Sequence, residues 1–183
     1  MSFPGLFALI LALSCMPAIT ATSCRDTSPY STQSHYEHVL SNYLNIWNGD
    51  LSLINSTFSP NISVHADRFP SPTGVGSVPL SATTSADFEA FAQRARNGWD
   101  KYTFVPYKWV AGENKIAVRW MLDAIMGANF TLAPTTLKQG DPLTYNGTDF
   151  LVLDECTGLI DEAHIAQDLI TLFHNLGLTA VTV

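Results

Sequence analysis

The sequence predicts an α+β domain in which helices pack on one face of a curled, mostly antiparallel sheet. Three observations lead there. Apolar residues keep helical spacing from Ser34 to Trp47 and again from Asp87 to Trp99. From Tyr102 onward the chain changes to aromatic and β-branched runs separated by turn residues. A short apolar-periodic stretch then follows Asp168, at Leu169, Leu172, Phe173 and Leu176. Helices grouped before a run of strands imply layers rather than alternating β–α–β units. A curled sheet has one concave face, and its alternate residues line a blind pocket.

Taken in order, the first helix carries Tyr36, Val39, Leu40, Tyr43, Leu44 and Trp47 on one side and stops at Asn48-Gly49. Leu51 to Phe58 reads as a second short helix ended by Pro60. Ile62 to Asp67 alternates like a strand, and Phe69 to Pro79, rich in proline and glycine, reads as a loop long enough to cap a cavity. Asp87 to Trp99 is amphipathic through Phe88, Phe91 and Ala95. Tyr102 to Val110 and Lys115 to Met126 are strands joined by Ala111-Gly-Glu-Asn114, a hairpin-turn composition. A polar segment, Phe130 to Thr144, leads to two further strands with a turn at Thr157-Gly158.

The ends read differently. Leu6 to Leu13 is an apolar run too short to span a bilayer, followed by Pro17 and the small residues of Ile19-Thr20-Ala21. Residues 1–21 therefore read as a signal peptide, 22–33 as an extension, 34–178 as the domain and 179–183 as a tail. Four glycosylation sequons, at Asn55, Asn61, Asn129 and Asn146, agree with a secreted or lumenal protein. Beyond the leader only Cys24 and Cys156 remain, which in an oxidising compartment is most simply one disulfide. Net charge is −7 and the basic residues are scattered, which argues against nucleic acid or an anionic membrane surface as partner. Once the signal is removed, no stretch is apolar enough for a membrane span.

Several short motifs, in order, resemble the nuclear transport factor two-like superfamily, and within it the SnoaL-like polyketide cyclase type. They are Val118-Arg119-Trp120, Asn146-Gly-Thr-Asp-Phe150, Gly158-Leu-Ile-Asp-Glu162, and Asp168 with Leu176-Gly177. The resemblance spans about Ser34 to Leu178. It implies a cone-shaped sheet enclosing a pocket, cofactor-independent acid–base chemistry, and a homodimer through the open sheet face. It also implies that Asp168, before the last helix, is the acid–base residue. The sequence departs from the cyclases at His164, where an aromatic is common, and at Asp123-Ala-Ile-Met126, where a Gly and a His are usual.

Each candidate has a functional and a structural reading. Asp168 either moves protons from an apolar pocket or caps the helix that follows. His164 shares a strand face with Glu162, Ala166 and Asp168, so it either pairs with Asp168 or is a rim histidine. His65 either reaches the pocket or is a hydrogen-bonded imidazole. Asp123 shares a face with Arg119; an outer ion pair is one reading, a buried carboxylate opposite Asp168 the other. Tyr36, Tyr43, Trp47, Trp120 and Phe150 supply aromatic surface for a small apolar ligand, and the tyrosine hydroxyls suit a carbonyl oxygen. His35 and His38 lack a third ligand with supporting spacing, so no metal is assigned. There is no phosphate loop, nucleophile elbow or dinucleotide fingerprint, and no cofactor is assigned. The reading is an isomerase, cyclase or dehydratase acting on an apolar, carbonyl-containing, polyketide- or terpenoid-like metabolite; a non-catalytic ligand-binding or dimeric interaction module on the same fold is the alternative.

Overall fold

In the computed structural model, which describes residues 30–70 and 77–178, four helices pack against one six-stranded sheet. Helix α1 spans Gln33–Trp47, preceded by Thr32, whose hydroxyl accepts from the His35 amide at 3.3 Å. Its buried face is Tyr36, Val39, Leu40, Tyr43, Leu44 and Trp47 with Asn42 and Ile46, which includes every apolar position picked out by helical spacing. The expected second helix is shorter: a 3₁₀ turn at Leu51–Leu53 runs into α2, Ile54–Thr57.

Strand β1, Phe58–Pro70, begins where the helix had been expected to end, with Pro60 inside a register shift between Phe58 and Ser63. A proline has no amide to give the ladder, so the irregular start is where it is tolerated. β2, Ser77–Ala82, begins inside the stretch from Phe69 to Pro79 that is expected to be loop. It lies at the sheet edge, the position that accepts Pro79. Residues 71–76 lie outside the described residues.

Helix α3, Ser85–Arg96, is opened by a reciprocal Thr84–Asp87 capping box. At its other end Arg96 donates to the carbonyls of Trp47 (2.6 Å) and Tyr102 (3.0 Å), which ties three elements together. β3, Trp99–Gly112, and β4, Lys115–Met126, form the expected hairpin, turning on Glu113 and Asn114, both at positive φ. β5, Pro142–Leu153, and β6, Ile160–Gln167, complete the sheet, and α4, Leu169–Asn175, closes the chain.

The strand order is β2-β1-β6-β5-β4-β3, antiparallel throughout except for the β1–β6 pair. Alternation then decides what faces the helices. On β4 the buried set is Ile116, Val118, Trp120, Leu122, Ala124 and Met126; on β5 it is Leu143, Tyr145, Gly147, Asp149, Leu151 and Leu153. The helices therefore cover one face, and the other face of the central strands carries Arg119, Asp123, Thr148 and Phe150. Among the described residues no helix is long and apolar enough to cross a membrane. The leader and tail lie outside the described residues, as does Cys24; Cys156 sits exposed in the turn between β5 and β6. Of the sequons, Asn55, Asn61 and Asn129 are exposed, and Asn146 is half-buried on the outer face of β5.

Candidate active site

Among the described residues, one acidic side chain is fully buried inside the curl of the sheet. Asp149 is on the inward face of β5 and is 0% exposed. Its Oδ2 accepts a hydrogen bond from the Tyr43 hydroxyl at 2.7 Å, so α1 and β5 meet through a polar pair in an otherwise apolar interior. Around the pair are aromatic rings. Tyr43 contacts Trp47, Phe58 and Phe88 at centroid separations of 6.4, 6.1 and 6.3 Å. Trp120 packs on Phe104 at 4.3 Å and meets Tyr145 edge-on at 5.7 Å.

Burial dominates the electrostatics. Desolvation pushes the Asp149 carboxyl up to about 7, against the opposing influence of hydrogen bonding from Tyr43 and Trp120. Burial also raises the hydroxyls of Tyr43, Tyr102 and Tyr145 above their ordinary value. A carboxyl half-protonated near neutrality can both give and take a proton, which is the requirement for acid–base work at carbon next to a carbonyl. Among the described residues, four buried side-chain polar atoms complete no well-formed hydrogen bond: Asp149 Oδ1, Trp120 Nε1, Trp47 Nε1 and Thr57 Oγ1. Interiors satisfy nearly all such groups, so a fully buried carboxyl oxygen without a well-formed partner is unusual and singles this residue out.

The residues singled out from sequence divide into two groups. Tyr43, Trp47 and Trp120 are in this interior. The others are elsewhere. Asp168 caps α4: it accepts from the Thr171 amide at 3.0 Å and the Thr171 hydroxyl at 2.7 Å, and is exposed. Those donors hold its carboxyl below the usual carboxylate value. This corrects the expectation that it turns into the pocket, because the cap geometry directs it to the first turn of the helix.

His164 and His65 are cross-strand neighbours on the outer face, stacked at 5.0 Å. The His164 ring bonds Glu162 at 2.7 Å, and His65 bonds Ser63 at 2.9 Å. Glu162, His164 and Ala166 do share a side, but it is the side away from the core, since Ala163 and Ile165 take the interior; the expected fourth member, Asp168, lies past the end of β6 as the cap of α4. Phe150 follows the same parity and is 39% exposed, an outward position that corrects its assignment to the ligand slot. Asp123 is also outward. The anticipated Arg119–Asp123 pair is not made: Asp123 pairs with Lys101 at 2.5 Å, while Arg119 donates to Tyr107 and Thr148. Tyr36 is buried, with its hydroxyl accepting from the Asn114 amide at 3.1 Å, so it anchors α1 to the β3–β4 hairpin. His35 donates to the Gly158 carbonyl and His38 bonds Asn42, so neither ring is turned to the other.

Asp149 was not singled out from sequence, although it lies inside the Asn146–Phe150 motif. The available signal was parity: Leu143, Tyr145, Asp149, Leu151 and Leu153 fall on one side of β5. Phe150, the apolar neighbour, drew attention to the wrong side.

Solved structures with the same architecture are numerous. AclR, a presumed hydroxylase from Streptomyces galilaeus, superposes with a TM-score of 0.62 at 18% identity, over 82% of this chain and 86% of that one. IdmH, a presumed polyketide cyclase from Streptomyces antibioticus, gives 0.60 at 16% identity, over 78% and 98%. A presumed SnoaL-like polyketide cyclase from Jannaschia gives 0.62 at 17%, over 85% and 99%. The chain shares the fold of these SnoaL-like structures. No protein-family model and no curated relative matches the sequence. The cone therefore supplies an architecture, and the chemistry has to be read from the side chains inside it.

Proposed function

We propose that this protein is a cofactor-independent acid–base enzyme that isomerises, cyclises or dehydrates a small apolar carbonyl compound of polyketide- or terpenoid-like type. The observation that carries the reading is the Tyr43–Asp149 pair, fully buried and ringed by aromatics inside the sheet's curl. Asp149 moves the proton next to the carbonyl, and the Tyr43 hydroxyl holds one carboxyl oxygen so that the other is presented to the ligand. Trp47, Trp120 and Phe104 exclude water, which keeps the carboxyl in its working range. This role falls to Asp149 rather than Asp168, because a carboxylate stabilised by two donors in open water is a weak base. His65 and His164, on the outer face, take no part in the reaction. The leader and sequons fit export to the secretory lumen or beyond, with a Cys24–Cys156 disulfide joining the N-terminal extension to the β5–β6 turn.

The test is proton exchange. Protein in D₂O is incubated with a panel of cyclic β,γ-unsaturated ketones, and deuterium entry at the α-carbon is followed by NMR. Exchange is expected with the native chain and is expected to fall by about 10²-fold or more in Asp149→Asn, the range a positioned general base supplies. An Asp149→Asn protein that exchanges at the native rate would overturn the assignment. Ligand retained by the protein and released chemically intact, with no exchange in any member of the panel, would favour a binding module on the same cone.

A further inference from the structure

The orientation of the Asp149 carboxyl depends on a feature of the neighbouring strand. Trp120 on β4 and Gly147 on β5 are register partners, and both face inward. A Cβ on residue 147 would fall inside the Trp120 ring, against Cζ2, Cη2 and Cε2. The indole therefore occupies the space a side chain at 147 would take, and the nearest atoms include Cε2, the ring carbon bonded to the N–H nitrogen. Asp149 is the next inward residue along β5. Phe104 and Tyr145 hold the ring there from two sides. The indole N–H has no well-formed partner, and neither has Asp149 Oδ1.

We propose that Trp120, seated over Gly147, is a positioning residue for Asp149: its N–H is aimed at the carboxyl, holds it opposite the Tyr43 hydroxyl, and marks where a ligand's carbonyl oxygen docks. This rests on the reading of Asp149 as the proton carrier. The polar complement of the site is then one carboxyl oxygen and one indole N–H side by side. The ligand class that fits is a ketone whose oxygen accepts from the indole or from protonated Asp149 while its α-carbon lies over the carboxyl. The other titratable groups acting on Asp149 are the hydroxyls of Tyr43 on α1, Tyr102 on β3 and Tyr145 on β5. None is a cation, so the indole is the donor on the sheet side that favours the charged carboxyl.

The experiment reads Asp149 directly and needs no substrate. Infrared difference spectra between the native chain and Asp149→Asn isolate the protonated-carboxyl C=O band of residue 149, which is titrated from pH 5 to 9. Trp120 is then replaced site-specifically by β-(3-benzothienyl)alanine, which keeps the ring shape and deletes the N–H. Loss of a donor to the charged form should raise the midpoint by about half to one pH unit. Gly147→Ala, which displaces the ring, should move it in the same direction. An unchanged midpoint in the benzothienyl protein overturns the proposal while leaving Asp149 in its role. Absence of any titrating band at residue 149 in the native chain overturns both. Deuterium exchange supplies the second readout: the benzothienyl protein should lose exchange mainly through KM if the N–H binds the ligand oxygen.

Discussion

Asp149→Asn should make the protein more stable in mild alkali while abolishing its chemistry. The folded carboxyl lies near 7 and the unfolded one near 3.8. Below the unfolded value both states carry the proton, and the group exerts no pH-dependent effect. As pH rises through the interval, the unfolded chain ionises while the folded one resists, so stability falls by about 1.4 kcal/mol per pH unit. Above the folded value both are ionised and the full loss remains. Three pH units at that slope give a destabilisation of about 4 kcal/mol at pH 8 relative to pH 4. Asparagine has nearly the shape of the protonated acid, keeps an acceptor for the Tyr43 hydroxyl, and does not titrate. The assay is urea unfolding of both proteins by tryptophan fluorescence at half-unit steps from pH 4.5 to 8.5. The difference between variant and native stability should widen steadily and level off near pH 7. Using the difference removes the histidines and surface carboxylates common to both. A difference flat within about 0.5 kcal/mol would show that residue 149 keeps an ordinary carboxyl in the fold, and the argument for it as proton carrier would fail.

Other outcomes follow from the same geometry. Asp168→Asn should leave both melting temperature and deuterium exchange unchanged, because asparagine caps as well as aspartate; Asp168→Ala should lower the melting temperature without lowering exchange per folded molecule. The capping carboxyl is held below its usual value, so its contribution is present above about pH 4 and lost as pH falls through the folded value, opposite in sign to Asp149. The double substitution His65→Gln, His164→Gln should not alter exchange, since both rings are on the outer face; a large loss would move the site to that face. Intact mass of protein recovered from a eukaryotic secretory host should drop on enzymatic deglycosylation, with one glycan fewer for each sequon asparagine changed to glutamine; an unmodified mass would remove the secretory assignment.

The architecture could be read from the sequence because its signals are redundant. Six apolar positions on α1 and six inward positions on β4 repeat with the correct period, so loss of any one would not blur the element. β2 escaped because it is short, proline-bearing and at the edge, where a strand needs no apolar alternation on both sides. The site was less accessible, since a strand's period identifies two faces without saying which is concave. Glu162, His164 and Ala166 fall together on β6 under either choice, and only the packing of Ala163 and Ile165 against the core decides. On β5 the decision is made by Leu143, Tyr145, Leu151 and Leu153 together, which outvote Phe150 and carry Asp149 inward with them.

Asp168 and Asp149 make the underlying distinction plain. Both are aspartates in the region that carries the family resemblance, and both are hydrogen-bonded. Asp168 receives an amide and a hydroxyl in open water, so its charged form is the favoured one and it holds a helix. Asp149 is fully buried with one well-formed donor, the Tyr43 hydroxyl, and burial outweighs the hydrogen bonding that reaches it, so its neutral form is favoured up to neutrality. Good anchoring lowers a carboxyl's basicity, whereas proton transfer at neutral pH needs the basicity that desolvation restores. A single carboxylate in this fold therefore serves one of the two purposes well, and the residue suited to chemistry is the one the helix leaves alone.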